Sequence, residues 1–539
     1  MKKSNKIDII LIIVFCVCSG IISVSLGQDK SWDLRNYHFY NAYSFINHRL
    51  VYDIAPAQLQ SYHNPLLDIV YYGMITLLTP KLYGFLVGAF QGLNIWLVYK
   101  ISYFFLTDLQ KIRRYLLSLC AGIIGYYGAA NLSEIGTTFS DNVTSLLILS
   151  AVLLVVSSML TDNGRVIYYS KIVALIGGFL LGCAAGLKLP AAIYGLSFSL
   201  CVLLLKTPIK VKLLNAIISG LGIILGMVVT SGYWMIILWK NYQSPLFPYY
   251  NKIFRSPYYE LSNFIDNRFF PQDKYQVLFY PFHFLKDPQL VSEVSFRDIR
   301  FSICYILLML YIFLIYYNKV GTMSGGQNET ARLMISDQNK SIGYFFIVFF
   351  VISYVIWQEM FSIYRYLVPL ELLSPIFIII IMRSIFPHRG LYVKWALGIF
   401  LIIALTMSPM HWGRIPWANN YFGVKITSAK DLGRATVIMA DNYPYSYIIP
   451  FFPKSTRFVS VNNNFLRPDL HTKFQDEVRE IFRQSNGNLY LLYREKSPED
   501  YVSILAHYDL KMSSFSMGNV SSNFDDELSL IPVFENQIN

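Results

Sequence analysis

The chain has 539 residues, of which 54% are hydrophobic and only 14% are charged. Soluble domains carry roughly 25% charged residues, so the composition excludes an ordinary soluble protein as well as a disordered chain, a collagen or a disulfide scaffold. This much apolar sequence needs lipid as its solvent and predicts a polytopic membrane protein. The net charge of +12 is typical of basic cytoplasmic loops, and we predict no nucleic-acid partner.

Apolar runs of about 20 residues, the length that crosses a bilayer as a helix, recur up to residue 410. The first run, Ile9–Leu26, follows the basic MKKSNK and is not followed by a small-residue cleavage site, so we predict a first membrane helix. The apolar segment 65–79 is shorter and contains Asp68, and we expect it to lie at the outer interface. Eleven spans are predicted, near residues 8–27, 82–106, 115–131, 144–160, 172–187, 189–205, 212–239, 299–318, 342–359, 366–382 and 395–410.

With the N-terminus placed in the cytoplasm, every loop predicted to lie inside is basic. These loops are 107–114, 161–171, 206–211, 319–341 and 383–394. The outside turn 132–143 contains no Lys or Arg, and counting 65–79 as a span would invert every loop. The charge bias therefore predicts a multi-pass cell-membrane protein whose C-terminal region lies outside. Short basic loops are typical of a bacterial inner membrane.

The same topology places three sizeable pieces outside, at 28–81, 240–298 and 411–539. The third changes composition, because ATVIMA, RFVSVN and NLYLLY have the β-branched or apolar character of short strands. Helices are predicted between and after them, over His471–Gln484 and Pro498–His507. We therefore predict an all-α membrane bundle over 1–410 and a small α/β domain over 411–539.

The first outside loop opens with the polar and aromatic stretch WDLRNYHFYNAY. If this stretch is an α-helix, one of its faces carries four polar residues: Asp33, Tyr37, Tyr40 and Asn41. A carboxylate at the membrane boundary, beside aromatic rings and Arg35, is suited to accept a proton from an incoming hydroxyl. The alternative is a solvated loop whose Trp and Tyr residues form an ordinary aromatic belt.

A second polar cluster ends the same loop and precedes the interfacial segment. Its members are Gln58, Gln60, Tyr62, His63 and Asn64. His38 and His63 are the only histidines near the candidate carboxylates, and hydrogen bonding is favoured over metal ligation for both. The sequence contains no P-loop, HExxH, GxSxG or metal-spaced His/Cys cluster, so the residues themselves predict no metal site.

Charged residues also mark the later outside turns. The turn NLSEIGTTFSDN carries Glu134 and Asp141. Helix capping by Asp141 or Ser140 is the simpler explanation of this turn, but two outside loops that each carry a carboxylate also suit an acid/base pair.

Two cations interrupt apolar sequence at the same face: Lys188 in GLKLP and Arg365 in SIYRYLVP. An ionisable group this close to hydrocarbon is costly and is a candidate for function, with snorkelling to lipid headgroups as the alternative. If both cations point inward, they suit a phosphate or diphosphate at the lipid boundary, Lys188 as a point charge and Arg365 as a bidentate fork.

The order of these motifs resembles the polytopic membrane glycosyltransferases of the GT-C superfamily. The resemblance runs from WDLRNYHFYNAY and YHNPLLDIVYYG through YGFLVGAFQGLNIWLVYKISYFFL and the acidic second loop to GLKLP and YRYLVP. It covers roughly the first 410 residues, and an outside domain such as the C-terminal piece often accompanies these enzymes.

The resemblance implies a polyprenyl-phosphate sugar donor and inversion at the anomeric carbon. It makes Asp33 the general base, Asp141 either a helper or an acceptor-orienting group, and Lys188 and Arg365 contacts of the donor phosphate. Many relatives have an adjacent acidic pair in the first loop, whereas Leu34 follows Asp33 here.

Asp29, four residues before Asp33, is the candidate for the missing acidic partner. Some relatives need a divalent metal and many do not, so a metal cofactor stays open. The acceptor also stays open among a lipid, a glycan and a protein. The full set of predicted substrate-binding residues is Arg35, Tyr37, His38, His63, Asn64, Glu134, Lys188 and Arg365.

Two other classes of function compete with sugar transfer. A transporter or flippase of lipid-linked saccharides predicts charges near the middle of several spans and broken helices in paired positions. A non-catalytic assembly protein predicts that Asp33 and Asp141 are dispensable. The charges lie at the outer ends of the predicted spans, which favours the glycosyltransferase.

Overall fold

A computed structural model describes residues 2–159, 170–205, 207–323, 337–386, 388–427, 432–485, 488–494, 498–524 and 527–536. Most of the predicted inside loops 161–171 and 319–341, and Lys206 of a third loop, lie outside the described residues. The helices before residue 300 are α1 Lys2–Leu26, α2 Phe39–Ile46, α3 Leu66–Leu77, α4 Pro80–Gln91, α5 Leu93–Phe105, α6 Lys111–Tyr126, α7 Ala129–Ser133, α8 Asp141–Ser158, α9 Lys171–Leu187, α10 Ala192–Leu204, α11 Ile209–Tyr242, α12 Asn251–Phe254 and α13 Lys274–Lys286. Those that follow are α14 Arg300–Met323, α15 Asp337–Met360, α16 Val368–Ile385, α17 Arg389–Thr406, α18 Lys473–Gln484 and α19 Pro498–Ala506.

Eight helical segments within the described residues are long and apolar enough to cross a membrane. They are Lys6–Leu26, Pro80–Phe105, Asp141–Ser158, Ile209–Tyr242, Arg300–Tyr317, Ile342–Met360, Tyr364–Ile385 and Arg389–Thr406. The remaining three of the eleven predicted spans correspond to the shorter helices α6, α9 and α10. The apolar segment 65–79 forms α3, whose 12 residues extend about 18 Å and fall short of the roughly 30 Å hydrocarbon layer.

The bundle is organised around α16, whose described side chains are almost all buried. Apolar residues of this helix pack against α5, α6, α8, α14, α15 and α17. Helices α9 and α11 also pack closely against each other, because small residues lie at their contact: Gly178, Gly182 and Gly226. Such small-residue contacts bring helix backbones together where lipid supplies no hydrophobic drive.

The first outside loop is helical, but its opening turn differs from the predicted α-helix. Residues Leu34–His38 form a π-helix that continues into α2. A π-helix places residues i and i+5 on one face, and such turns often occur at functional sites. Asp33 directly precedes this π-helix, and His38 at its end lies close enough to lower the pKa of Asp33, which the α-helical spacing did not predict.

The C-terminal region contains a mixed sheet and two helices. Its described strands are β3 Lys425–Ile426, β4 Thr436–Met439, β5 Arg457–Ser460, β6 Leu489–Tyr493, β7 Leu510–Met512, β8 Gly518–Ser521 and β9 Glu527–Glu535, while β1 Gln28–Asp29 pairs with β2 Arg414–Ile415. The order along the sheet is β3-β8-β9-β6-β4-β5, with β7 pairing β9. The three strands predicted from ATVIMA, RFVSVN and NLYLLY are the parallel strands β4, β5 and β6, and both predicted helices are present as α18 and α19. The antiparallel strands were not predicted.

The first outside loop is fastened to this sheet by a buried ion pair. Arg49 Nε donates to Asp53 Oδ2 at 2.7 Å, and Arg49 also donates to the backbone carbonyls of Lys454 and Thr456. Asp53 accepts in turn from the backbone N–H of Phe458 at 2.9 Å. The loop and the sheet therefore form one packed unit beside the helical bundle.

Replacing Asp53 with Ala is expected to lower the apparent Tm of the purified protein strongly. The change leaves Arg49 buried without its partner, and such a loss costs about 3–5 kcal/mol. Asp469→Ala is the matched control, because Asp469 pairs with Arg467 on the surface, where ion pairs contribute about 0–1 kcal/mol. Thermal unfolding in detergent measures both variants, and equal Tm values for the two would contradict the fastening role.

Candidate active site

A cavity of about 1360 Å³ lies where the loops predicted to be outside meet the ends of several helices. Most of the predicted site residues line it: Asp33, Tyr37, His38, His63, Asn64, Lys188 and Arg365. Asp141, Glu134 and Arg35 are buried and are not among its lining residues. Residues from four separate segments, distant in sequence, are thus brought to one site.

Asp33 and Arg365 form an ion pair across this cavity. Arg365 Nη1 donates to Asp33 Oδ2 at 2.7 Å, and the Tyr37 hydroxyl donates to the same oxygen at 3.1 Å. Burial alone would raise the pKa of Asp33, but Arg365, His38 and Lys188 together lower it below its ordinary value. Asp33 is therefore ionised at neutral pH despite its burial.

Asp141 and Lys188 form a second pair beside the first. Lys188 Nζ lies 2.5 Å from Asp141 Oδ2, and both side chains are largely buried. Asp141 opens α8, but Ser140, the N-cap, makes no side-chain capping hydrogen bond. Pairing with Lys188, not capping, is the contact that the Asp141 carboxylate makes. The Lys188 ammonium is the member of this pair that reaches the cavity.

Aromatic rings hold the two cations near each other. The ring of Tyr366 lies 5.3 Å from Lys188 Nζ and 5.6 Å from the Arg365 guanidinium carbon, and Phe139 lies 5.2 Å from the same carbon. Cation–π contacts of this length attract a positive charge without neutralising it. The rings therefore bring the two cations together without cancelling their charge, which is balanced by Asp33 and Asp141.

The π-helix brings His38 next to Asp68. In the sequence, Asp68 stands out only as a charged residue within the apolar segment 65–79. His38 Nδ1 lies 2.6 Å from Asp68 Oδ1, and both side chains line the cavity. His38 Nε2 is buried and has no hydrogen-bond partner among the described residues. Asp68 is thus a site residue that periodicity missed, because α3 carries it into the cavity from an otherwise apolar helix.

His63 and Asn64 line the cavity but are engaged with protein groups. His63 Nε2 lies 2.9 Å from the Tyr249 hydroxyl, and burial lowers the pKa of His63 to about 4, so its ring is neutral at pH 7. The Asn64 amide donates to the backbone carbonyls of Gly186 and Thr230 and accepts from the Tyr233 hydroxyl. Asn64 therefore fixes the turn that carries Lys188.

The remaining predicted residues lie behind the cavity wall. Burial, reinforced by Asp141, raises the pKa of Glu134 well above its ordinary value, which favours the protonated form of this carboxyl. The Arg35 guanidinium lies 4.7 Å from the ring centre of Tyr443 in the C-terminal region. Asp29, the candidate acidic partner of Asp33, accepts instead from the backbone and hydroxyl of Thr138, so it shapes the second outside turn.

The chemistry that this arrangement offers is acid/base work beside an anion site. Within the described residues, no group of three or more His, Cys, Asp or Glu side chains is close enough to hold a metal ion. Two cations and two carboxylates neutralise each other in pairs at the cavity. An anionic ligand that binds Arg365 and Lys188 would weaken their ion pairs with Asp33 and Asp141. The two carboxylates would then be left charged beside the bound ligand.

Comparisons with known proteins find similarity only in three dimensions. No protein-family profile matches the sequence, and no curated protein matches it. The structure is similar to the Archaeoglobus fulgidus oligosaccharyltransferase in its apo form, with a TM-score of 0.42 and 11% identity over 92% of this chain and 71% of that chain.

Two further structures from the same organism show the same similarity. The form with Zn and sulfate gives a TM-score of 0.42 and 12% identity over 91% of this chain and 69% of that chain. The archaeal oligosaccharyltransferase AglB in complex with an inhibitory peptide and a dolichol-phosphate gives 0.39 and 11% identity over 92% and 71%. Because all three scores lie below 0.5, the function has to be inferred from the site.

Proposed function

We propose that the protein is a membrane glycosyltransferase that moves a sugar from a polyprenyl-phosphate donor to an acceptor outside the membrane, with inversion. The observation that carries the proposal is the pairing of two carboxylates with two cations around one cavity, at Asp33–Arg365 and Asp141–Lys188. These residues come from four segments that lie at or beside helix ends. Charged residues that served only to keep the surface soluble would not be expected to gather around one cavity from four separate segments.

The cations suit the phosphate of the donor. Arg365 offers a planar fork and Lys188 a compact charge, and together they stabilise the negative charge that develops on the phosphate as it leaves. Apolar residues of α11 and α15, including Met227, Met235 and Met360, line the same cavity. This apolar wall gives the first isoprene units of the donor a path toward the membrane.

Asp33 is the proposed general base. The acceptor hydroxyl attacks the anomeric carbon, its proton passes to Asp33, and the bond from that carbon to the phosphate oxygen breaks. Inversion requires the base and the leaving phosphate to lie on opposite sides of the sugar. A donor phosphate that draws Arg365 away from Asp33 Oδ2 makes the carboxylate more basic at the moment of transfer.

Asp141 is the proposed helper. Its carboxylate orients Lys188 toward the phosphate through the 2.5 Å contact. Tyr37 and His38, on the π-helix that directly follows Asp33, are proposed to contact the sugar. The location that follows is a cell membrane, with the cavity on the face opposite the cytoplasm.

The test is an assay of the purified protein in nanodiscs with a polyprenyl-phosphate sugar. The proposal expects release of polyprenyl phosphate that depends on an added acceptor. The alternative, a flippase of lipid-linked saccharide, expects the donor to cross a vesicle membrane unchanged. Translocation of intact donor without release of polyprenyl phosphate would overturn the proposed transfer.

A further inference from the structure

The wall of the cavity that lies toward the C-terminal region carries side-chain amides. Asn442 follows β4 and Asn464 follows β5, and both line the cavity. Because β4 and β5 are parallel neighbours, their carboxyl ends meet at one edge of the sheet, where α/β proteins commonly bind ligands. Gln58 and Gln60 of the first outside loop line the cavity as well.

Gln58 has features that a purely structural residue does not need. Its side chain is 2% exposed, and its Nε2 donates to the backbone carbonyl of Asn442 at 2.9 Å. Its Oε1 is buried and has no partner among the described residues. Its φ of +57° lies in the left-handed region, where a non-glycine residue is strained, and such strain concentrates at ligand-binding positions.

We propose that Gln58, Gln60, Asn442 and Asn464 form the acceptor subsite and that the acceptor is a neutral, hydroxyl-rich sugar. This inference rests on the proposed sugar transfer. A carboxamide offers both donors and an acceptor, which suits neighbouring hydroxyls that also donate and accept. In this arrangement the buried Gln58 Oε1 accepts a hydrogen bond from a sugar hydroxyl and so gains the partner that it lacks among the described residues.

The surroundings disfavour a peptide acceptor bound as an added strand. The outer edge of β5 is already occupied, because Ile54 N donates to Phe458 O and Ser460 N donates to Ile54 O, each at 2.9 Å. Strand addition needs an open sheet edge, and this one is closed. The cation Arg268 also lines the cavity, but it lies between two carboxylates that line the cavity as well, Asp266 and Glu293, and their combined charge repels an anionic acceptor.

The deciding variant is the double substitution Asn442→Ala with Asn464→Ala in the full-length protein. Both side chains are exposed and have no side-chain hydrogen bond among the described residues, so the fold does not depend on them. Asn419→Ala is the matched control, since Asn419 is an exposed asparagine that does not line the cavity. The probes are the neutral disaccharides maltose, cellobiose and lactose, and a hydroxyl-containing peptide of serine and threonine residues.

Two measurements test the acceptor subsite independently of the proposed sugar transfer. In the transfer assay, the KM for the best disaccharide is expected to rise about tenfold in the double variant, as for the loss of two hydrogen bonds, while kcat changes little. Saturation-transfer NMR measures sugar binding without turnover and is expected to lose its signal in the double variant but not in the control.

The opposing results are equally distinct. A wild-type protein that binds none of the disaccharides, or a double variant that binds them unchanged, overturns the subsite. Binding of the peptide that depends on the same two asparagines also overturns it. A wild-type protein that binds disaccharides through these residues but transfers no sugar supports the subsite and contradicts the proposed reaction.

Discussion

Replacing Asp33 with Asn is expected to lower sugar transfer by about 10²–10⁴-fold, the range that a general base contributes. The amide keeps the size of the side chain and can still accept from Arg365 and Tyr37, so the cavity keeps its shape. It cannot take the acceptor proton. The measurement is the initial rate of polyprenyl phosphate release at saturating donor, together with donor binding, which is expected to persist.

Asp266→Asn provides the control for this prediction. Asp266 lines the same cavity and also pairs with an arginine, Arg268, whose side chain is 63% exposed. Loss of an exposed pair is expected to change the rate less than twofold. Normal transfer by the Asp33→Asn protein would remove Asp33 from the mechanism, whereas an equal loss in both variants would point to a general effect on the cavity.

Replacing Arg365 with Met is expected to reduce transfer by about 10²–10³-fold, since a group that stabilises the leaving phosphate is lost. It is also expected to move the acidic limb of the pH–rate profile to higher pH. Burial raises the pKa of Asp33 and Arg365 is the largest opposing influence, so removal of Arg365 raises that pKa. A base with a higher pKa is protonated, and inactive, up to a higher pH.

The Arg365→Lys protein distinguishes charge from geometry at this position. Lysine keeps a positive charge near Asp33, so the acidic limb is expected to stay closer to that of the wild type, but it lacks the fork that holds a phosphate. The pH dependence of kcat/KM from pH 4 to 8 measures both effects. An unchanged acidic limb in the Arg365→Met protein would mean that Asp33 is not the group that titrates.

The sequence predicted which charged residues belong to the candidate site, but it did not predict which of them contact each other. Asp33, Lys188 and Arg365 were expected at one face because the Lys/Arg bias of the loops places their segments on the same side of the membrane, and all three line the cavity. Their direct pairing with carboxylates could not be predicted, because the partners are 47 residues apart in one pair and 332 in the other. Only the packing of the helices sets such distances.

Local geometry explains the other differences. Periodicity assumed 3.6 residues per turn, so it placed Tyr40 and Asn41 with Asp33, whereas the π-helix places His38 there and turns Tyr40 toward Asp53. The parallel strands were visible as β-branched runs, but the antiparallel strands were not recognised in the more polar C-terminal sequence. Helices α6, α9 and α10 are shorter than a typical span, and the runs predicted for them, 115–131, 172–187 and 189–205, were already among the shortest.

The pairing of Ile54 with the edge of β5 has a consequence for how the protein is made. One partner is synthesised near the beginning of the chain and the other, Val459, some four hundred residues later. During translation the four charged groups can be in the membrane long before the far wall of the cavity exists. A ribosome-stalled chain that ends before β5 is therefore expected to be inserted yet inactive, and assembly of a working site is a late, post-insertion event.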